Sequence, residues 1–170
     1  INWEFPQNLV ENAEKYYFQE DLSDTRILEF IYRVYTYYVS NNHADVNEKH
    51  FSYIKFFYCK YVEENSPNSY SESAEILEKV YNSIDKTDRL YYQIGLQLMI
   101  SYYFSYQEDK CIEIGEKSMA ELLEIPINKN NKEQLNAFFE TISYYLTASF
   151  LDLQLFEYSK SDDRIEKAKY

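Results

Sequence analysis

Between Arg89 and Glu124 the chain places Leu90, Ile94, Leu98 and Tyr102 at a constant spacing of four. It pauses at Gln107-Glu108-Asp109 and resumes with Cys111, Ile114, Ser118 and Leu122. Apolar residues at this spacing share one face of an α-helix, with Tyr91 and Met99 beside the first stripe and Ile112 and Met119 beside the second. The stretch predicts a helix over 89–106, a short turn, and a second helix over 110–124. A three-residue connection forces the two helices antiparallel. Gly95 costs about 1 kcal/mol relative to Ala in a helix interior, so it points to a close neighbour there. Cys111, Gly115 and Ser118 are small and let the first helix settle on the second.

Only two Gly and three Pro occur in 170 residues. β-rich and α/β folds need more turn residues than that, so the whole chain reads as all-α, with long helices and short connections. The same scarcity leaves no Gly-rich loop to cradle phosphates and no dinucleotide fingerprint. At this length one domain can bury a real core. Aromatic residues make up 19%, with 20 Tyr, and Tyr suits half-buried helix faces because its body is apolar and its tip polar.

Read in order, segment 1–24 is an entry segment: 1–8 is extended, with Trp3, Phe5 and Pro6 as docking residues, and 9–18 is a short entry helix. Residues 25–64 form a first hairpin, with helices over 25–41 and 45–64. Asn65-Ser66-Pro67-Asn68-Ser69 is a loop. Residues 71–124 hold the central helices, the last two being the pair described above. A long helix covers 132–158, and 159–170 is a charged tail. All of 1–170 reads as one helical-repeat domain. The start at Ile1, without Met, fits a fragment of a longer chain whose N-terminal module is missing.

Internal similarity supports repeats. Thr36-Tyr37-Tyr38-Val39-Ser40, Ser101-Tyr102-Tyr103-Phe104-Ser105 and Ser143-Tyr144-Tyr145-Leu146-Thr147 share one pattern. Glu75-Ile76-Leu77-Glu78-Lys79 matches Glu113-Ile114-Gly115-Glu116-Lys117, 38 residues on.

The chemistry-bearing residues argue against an enzyme. His43 and His50, with Asp45 and Glu48 between them, straddle a helix start and read as a solvated loop rather than a metal site. Glu63-Glu64, Glu108-Asp109 and Asp162-Asp163 are sequence neighbours that point apart on a helix, so they make poor acid–base pairs. No Ser/His or Cys/His arrangement stands out, and no cofactor is implied. Cys59 and Cys111 read as buried thiols in a reducing compartment. No signal peptide opens the sequence. Leu90–Gln107 is uncharged but holds three Gln, two Ser and five Tyr, too polar to span a bilayer. The expectation is a cytoplasmic protein with no membrane contact. The net charge of −12 disfavours direct contact with nucleic acid.

The 89–124 hairpin resembles a tetratricopeptide repeat, a family of 34-residue helix hairpins that stack into a right-handed superhelix. Leu98 and Tyr102 take the large positions of its first helix, and Cys111 and Ser118 the small positions of its second. Gly95 and Met99 fall where the family prefers Trp and Gly, and Gly115 where it prefers an aromatic residue. The resemblance implies a concave face lined by the first helix of each hairpin. Carried over, the lining is Gln93, Leu96, Ile100, Tyr103 and Phe104; then Leu135, Phe138, Ile142, Tyr145 and Leu146; then Leu28, Ile31, Tyr35, Tyr38 and Val39. These sets are apolar. They suit a short hydrophobic peptide or partner helix, or else they pack on another helix layer or a dimer mate. Arg33 and Arg89 are candidate anchors for a peptide carboxylate, or partners of surface acids.

In layout and texture the chain also resembles the C-terminal peptide-sensing domain of Rgg-type bacterial quorum-sensing regulators. That resemblance implies a dimer that binds a short signalling peptide and relays it to transcription through a separate DNA-binding domain. The expectation is therefore a non-catalytic peptide- or protein-binding scaffold. The alternative is an acidic inhibitor or nucleic-acid-mimicking decoy that binds a basic protein. It requires carboxylates ordered along one face, whereas here they are interleaved with Lys.

Overall fold

The computed structural model describes residues 25–40, 48–88 and 90–167. The expectations placed on 1–24, on His43 and Asp45 and on Arg89 lie outside the described residues, as do the side chains of Tyr38 and His50. Among the described residues the fold is all-α: α1 (Thr25–Ser40), α2 (Glu48–Asn65), a 3-10 turn (Pro67–Ser69), α3 (Tyr70–Ser83), α4 (Tyr91–Phe104), α5 (Glu108–Leu123) and α6 (Lys132–Lys167). None of these helices is long and apolar enough to cross a membrane. The chain divides into two units, Ile1–Ile94 and Gly95–Tyr170, with the boundary inside α4.

In the first unit α2 packs between α1 and α3. Its central turns, Tyr53, Ile54, Phe56, Phe57, Tyr58 and Cys59, are all buried. A helix that is apolar all round needs neighbours on several sides, and α2 has them. Tyr35 of α1 lies against Tyr58, with centroids 4.0 Å apart, and Tyr32 stacks on Tyr58 at 5.7 Å. The buried tyrosine hydroxyls find partners, which offsets their lost hydration. Tyr53 donates to both oxygens of Asp88 at 2.7 and 2.6 Å, and Tyr58 donates to Glu72 at 3.3 Å. Tyr81 and Tyr91 stack at 4.8 Å and join hydroxyls at 2.9 Å. Asp88 also accepts the Leu90 N–H at 3.0 Å, so one carboxylate ties α2 to the start of α4.

The second unit is the rest of α4 with α5 and α6. The turn comes earlier than expected: Glu108 and Asp109 belong to the first turn of α5, where acids meet the positive end of the helix dipole. The break is a Schellman cap. Gln107 N–H bonds the Tyr102 carbonyl at 2.9 Å, Tyr106 N–H bonds Tyr103 at 3.1 Å, and Tyr106 takes φ 60°. The close approach expected of the small residues is found at Gly115. A Cβ there would lie 2.6 Å from Leu146 Cδ2 and 3.0 Å from Met99 Sδ, so α4 and α6 both press on this point of α5. Cys111 and Ser118, one turn to either side, are buried as expected, and Gly95 is buried within α4. The last helix runs to Lys167, beyond the expected end near 158, and takes in most of the charged tail.

Candidate functional site

The predicted lining residues separate into core and surface. Ile142 is 2% exposed and Leu135 5%, and both are core residues facing the rest of the second unit. Ile31 is likewise fully buried in the first unit. A stripe repeating every seven residues, Leu135, Ile142 and Ser149, is the buried seam of α6, so Ile142 holds the helix in place instead of lining an open face. Leu96, Ile100, Phe138 and Leu146 are half-buried in the second unit, and Leu28, Tyr35 and Gln93 in the first. Val39 is exposed. Arg33 is bonded to Glu29 one turn away on the surface of α1, with both side chains well exposed. That is a helix-surface pair of small energetic weight.

The structure does bring Tyr103 and Tyr145 together. They come from different predicted first helices, and their rings meet edge to face at 5.3 Å. Tyr145 is the hub of a cluster with Phe104 at 6.1 Å and Tyr144 at 5.1 Å, all near-perpendicular. Phe104 is 45% exposed and Tyr144 66%. The Tyr103 hydroxyl donates to Asp152. Burial raises its pKa, and the Asp152 carboxylate raises it further, so the phenol remains a neutral donor. The exposed aromatics are fixed in place by neighbouring rings and one hydrogen bond. Tyr106 adds a further ring at the α4–α5 tip, 86% exposed and held by a backbone that few non-glycine residues adopt.

No family model, curated protein or solved structure matches this chain.

What this arrangement can do is therefore read from its chemistry. Its aromatic faces and apolar edges offer area and stacking, with hydroxyl tips for orientation. The two thiols are poor nucleophiles. Burial pushes both Cys59 and Cys111 above the ordinary thiol range, with Glu63 adding at Cys59 and Glu108 at Cys111. Among the described residues no three His, Cys, Asp or Glu side chains converge to hold a metal ion.

Sequence reasoning missed the far side of α6. A shallow, open depression of about 630 Å³ runs along it past Phe139, Ser143, Tyr144, Thr147, Ala148 and Leu151. Leu151 is 53% exposed and Leu155 66%. The available signal was that α6 has only a narrow polar stripe, Asn136, Glu140, Ser143, Thr147 and Gln154, and that from Gln134 to Phe156 its only charges are Glu140 and Asp152.

Proposed function

We propose that this chain is a non-catalytic binding scaffold that takes a short apolar peptide or partner segment on the Tyr103–Tyr145 face. In this reading the helices stack as a tetratricopeptide-like right-handed superhelix. Leu96, Ile100 and Phe138 extend the contact area from the two tyrosines. The further reading is a cytoplasmic, dimeric sensing domain of an Rgg-type regulator, in which groove burial alters helix packing. The observation that supports the scaffold reading is the exposed, pre-organised aromatic cluster around Tyr145. Rigid aromatic anchors give much contact area for little ordering entropy, and such residues dominate binding hot spots.

Native mass spectrometry of the protein purified from its own host tests this directly. The expected species carries a co-purifying peptide. Ile100→Glu or Phe138→Glu removes that peptide while circular dichroism keeps its helical amplitude. Retention of the peptide by both variants rejects the face, and a bare protein that captures a basic protein instead points to the acidic-inhibitor reading.

A further inference from the structure

The outer side of α6 carries Ala137, Thr141, Tyr144, Ala148, Leu151 and Leu155, which alternate in steps of four and three. This is the spacing of a helix–helix seam. It lies across the helix from the buried seam of Leu135, Ile142 and Ser149. Tyr144, Leu151 and Leu155 are each more than half exposed. The stripe spans nineteen residues, about 27 Å at 1.5 Å per residue, or five helical turns. It shares Tyr144 with the Tyr103–Tyr145 cluster, and the other rings of that cluster, Tyr103 and Phe104, belong to α4.

Charge decides what fits there. No Lys, Arg or His occurs from Glu133 to Glu157. Glu133 is the i,i+4 neighbour of Ala137, Glu140 of Tyr144, and Asp152 of Ala148, so carboxylates border the apolar stripe on both sides. All three acids are exposed. A second copy would bring the same carboxylates against these, within chains of net charge −12. A helix with an apolar stripe flanked by Lys or Arg meets both features.

We propose that the outer face of α6 docks an amphipathic, basic helix of a partner protein. The apolar side chains of that helix interleave with Tyr144, Ala148, Leu151 and Leu155, while its cations reach Glu133, Glu140 and Asp152. The small residues Ala148 and Thr141 let the two backbones approach.

The probe is a fluorescein-labelled synthetic helix of eighteen residues, with Leu at the same four-three spacing and Lys on its flanks. Its counterpart has Glu for Lys. Fluorescence anisotropy against the full chain is expected to show the Lys peptide binding at least about tenfold tighter than the Glu peptide, an advantage that shrinks with added salt. Leu151→Glu is expected to weaken the Lys peptide about tenfold or more, although the variant adds negative charge. Non-specific attraction would move the other way. Glu133→Lys combined with Glu140→Lys is expected to shift preference toward the Glu peptide. All these positions are exposed, and circular dichroism checks that the variants remain folded. The proposal is overturned if neither peptide binds, if Leu151→Glu binds the Lys peptide as well as the parent does, or if the two peptides bind alike. It is equally overturned if sedimentation shows a dimer that Leu151→Glu converts to monomer, because the face then belongs to a second copy.

Discussion

Helices α2 and α6 are both apolar around most of their circumference, yet they meet different fates. In α2 the residues Tyr53, Ile54, Phe56, Phe57, Tyr58 and Cys59 are buried, because α1 covers one side and α3 the other. In α6 the seam of Leu135, Ile142 and Ser149 is buried, while Tyr144, Leu151 and Leu155 face outward. Helix composition alone does not distinguish a core helix from a docking helix. The distinction is how many sides the rest of the fold covers. Tyrosine shows the same contrast. In the first unit Tyr53, Tyr81 and Tyr91 bury their rings and pair their hydroxyls with Asp88 or with each other. In the second unit Tyr144 and Tyr106 leave their rings largely exposed.

The largest test of this contrast truncates one large apolar side chain in each helix. Phe57 is fully buried, so Phe57→Ala is expected to cost about 3–5 kcal/mol in urea denaturation. Leu155→Ala should stay within about 0.5 kcal/mol. Equal costs would mean that the outer side of α6 is packed in solution. Next, Tyr53→Phe removes a hydroxyl bonded to both Asp88 oxygens and is expected to cost about 1.5–3 kcal/mol, the range for hydrogen bonds to charged groups. A change near zero would remove that carboxylate from the list of groups joining α2 to α4.

Alkali sharpens the comparison across many residues at once. Burial raises the phenol pKa of Tyr35, Tyr58, Tyr70 and Tyr103 above the ordinary value of 10.0, with nearby acids adding at all four. The folded state then holds those protons more tightly than the unfolded chain. Their contribution to stability is fully present below pH 10 and is lost as pH rises through the raised values. Denaturation midpoints should be flat from pH 8 to about 9.5 and fall steeply above that. The share of the tyrosinate absorbance that belongs to these four phenols should rise with the loss of helix, not before it. Full ionisation of these phenols in a still-helical protein would contradict the packing described for them.

The smallest expected effect has the opposite sign. Tyr106 pays for a left-handed backbone while its ring packs little, so Tyr106→Gly should stabilise the fold by about 0.5–1 kcal/mol. A loss of stability instead would show that the exposed ring makes a contact that matters in solution.

Much of the helix plan was legible in the residues themselves. The boundaries of α1 and the start of α3 fall where periodicity and punctuation put them, within a residue. Cys111, Gly115 and Ser118 are the small contact points they were expected to be, because close helix approach leaves no room for larger side chains. The α4–α5 turn was placed about two residues late, since a tyrosine in the left-handed cap has no sequence signature comparable to glycine. The candidate site was legible only in part. Tyr103 and Tyr145 were named and do meet, whereas Ile142 was named and proved to be core, and Leu151 and Leu155 were passed over.

The repeated units show where legibility ends. Ser101-Tyr102 and Ser143-Tyr144 open almost identical pentads, yet Ser101 and Tyr102 are buried while Ser143 is exposed and Tyr144 is 66% exposed. Local pattern determines that a segment is helical and which residues share a face, because those follow from 3.6 residues per turn. Which face becomes core depends on long-range neighbours: α1 and α3 around α2, and Met99 and Leu146 closing on Gly115. The amino-acid order of this protein thus determined an all-α chain rich in half-buried tyrosine. Only the tertiary packing decided that one side of α6 holds the second unit together and the other is left open to solvent.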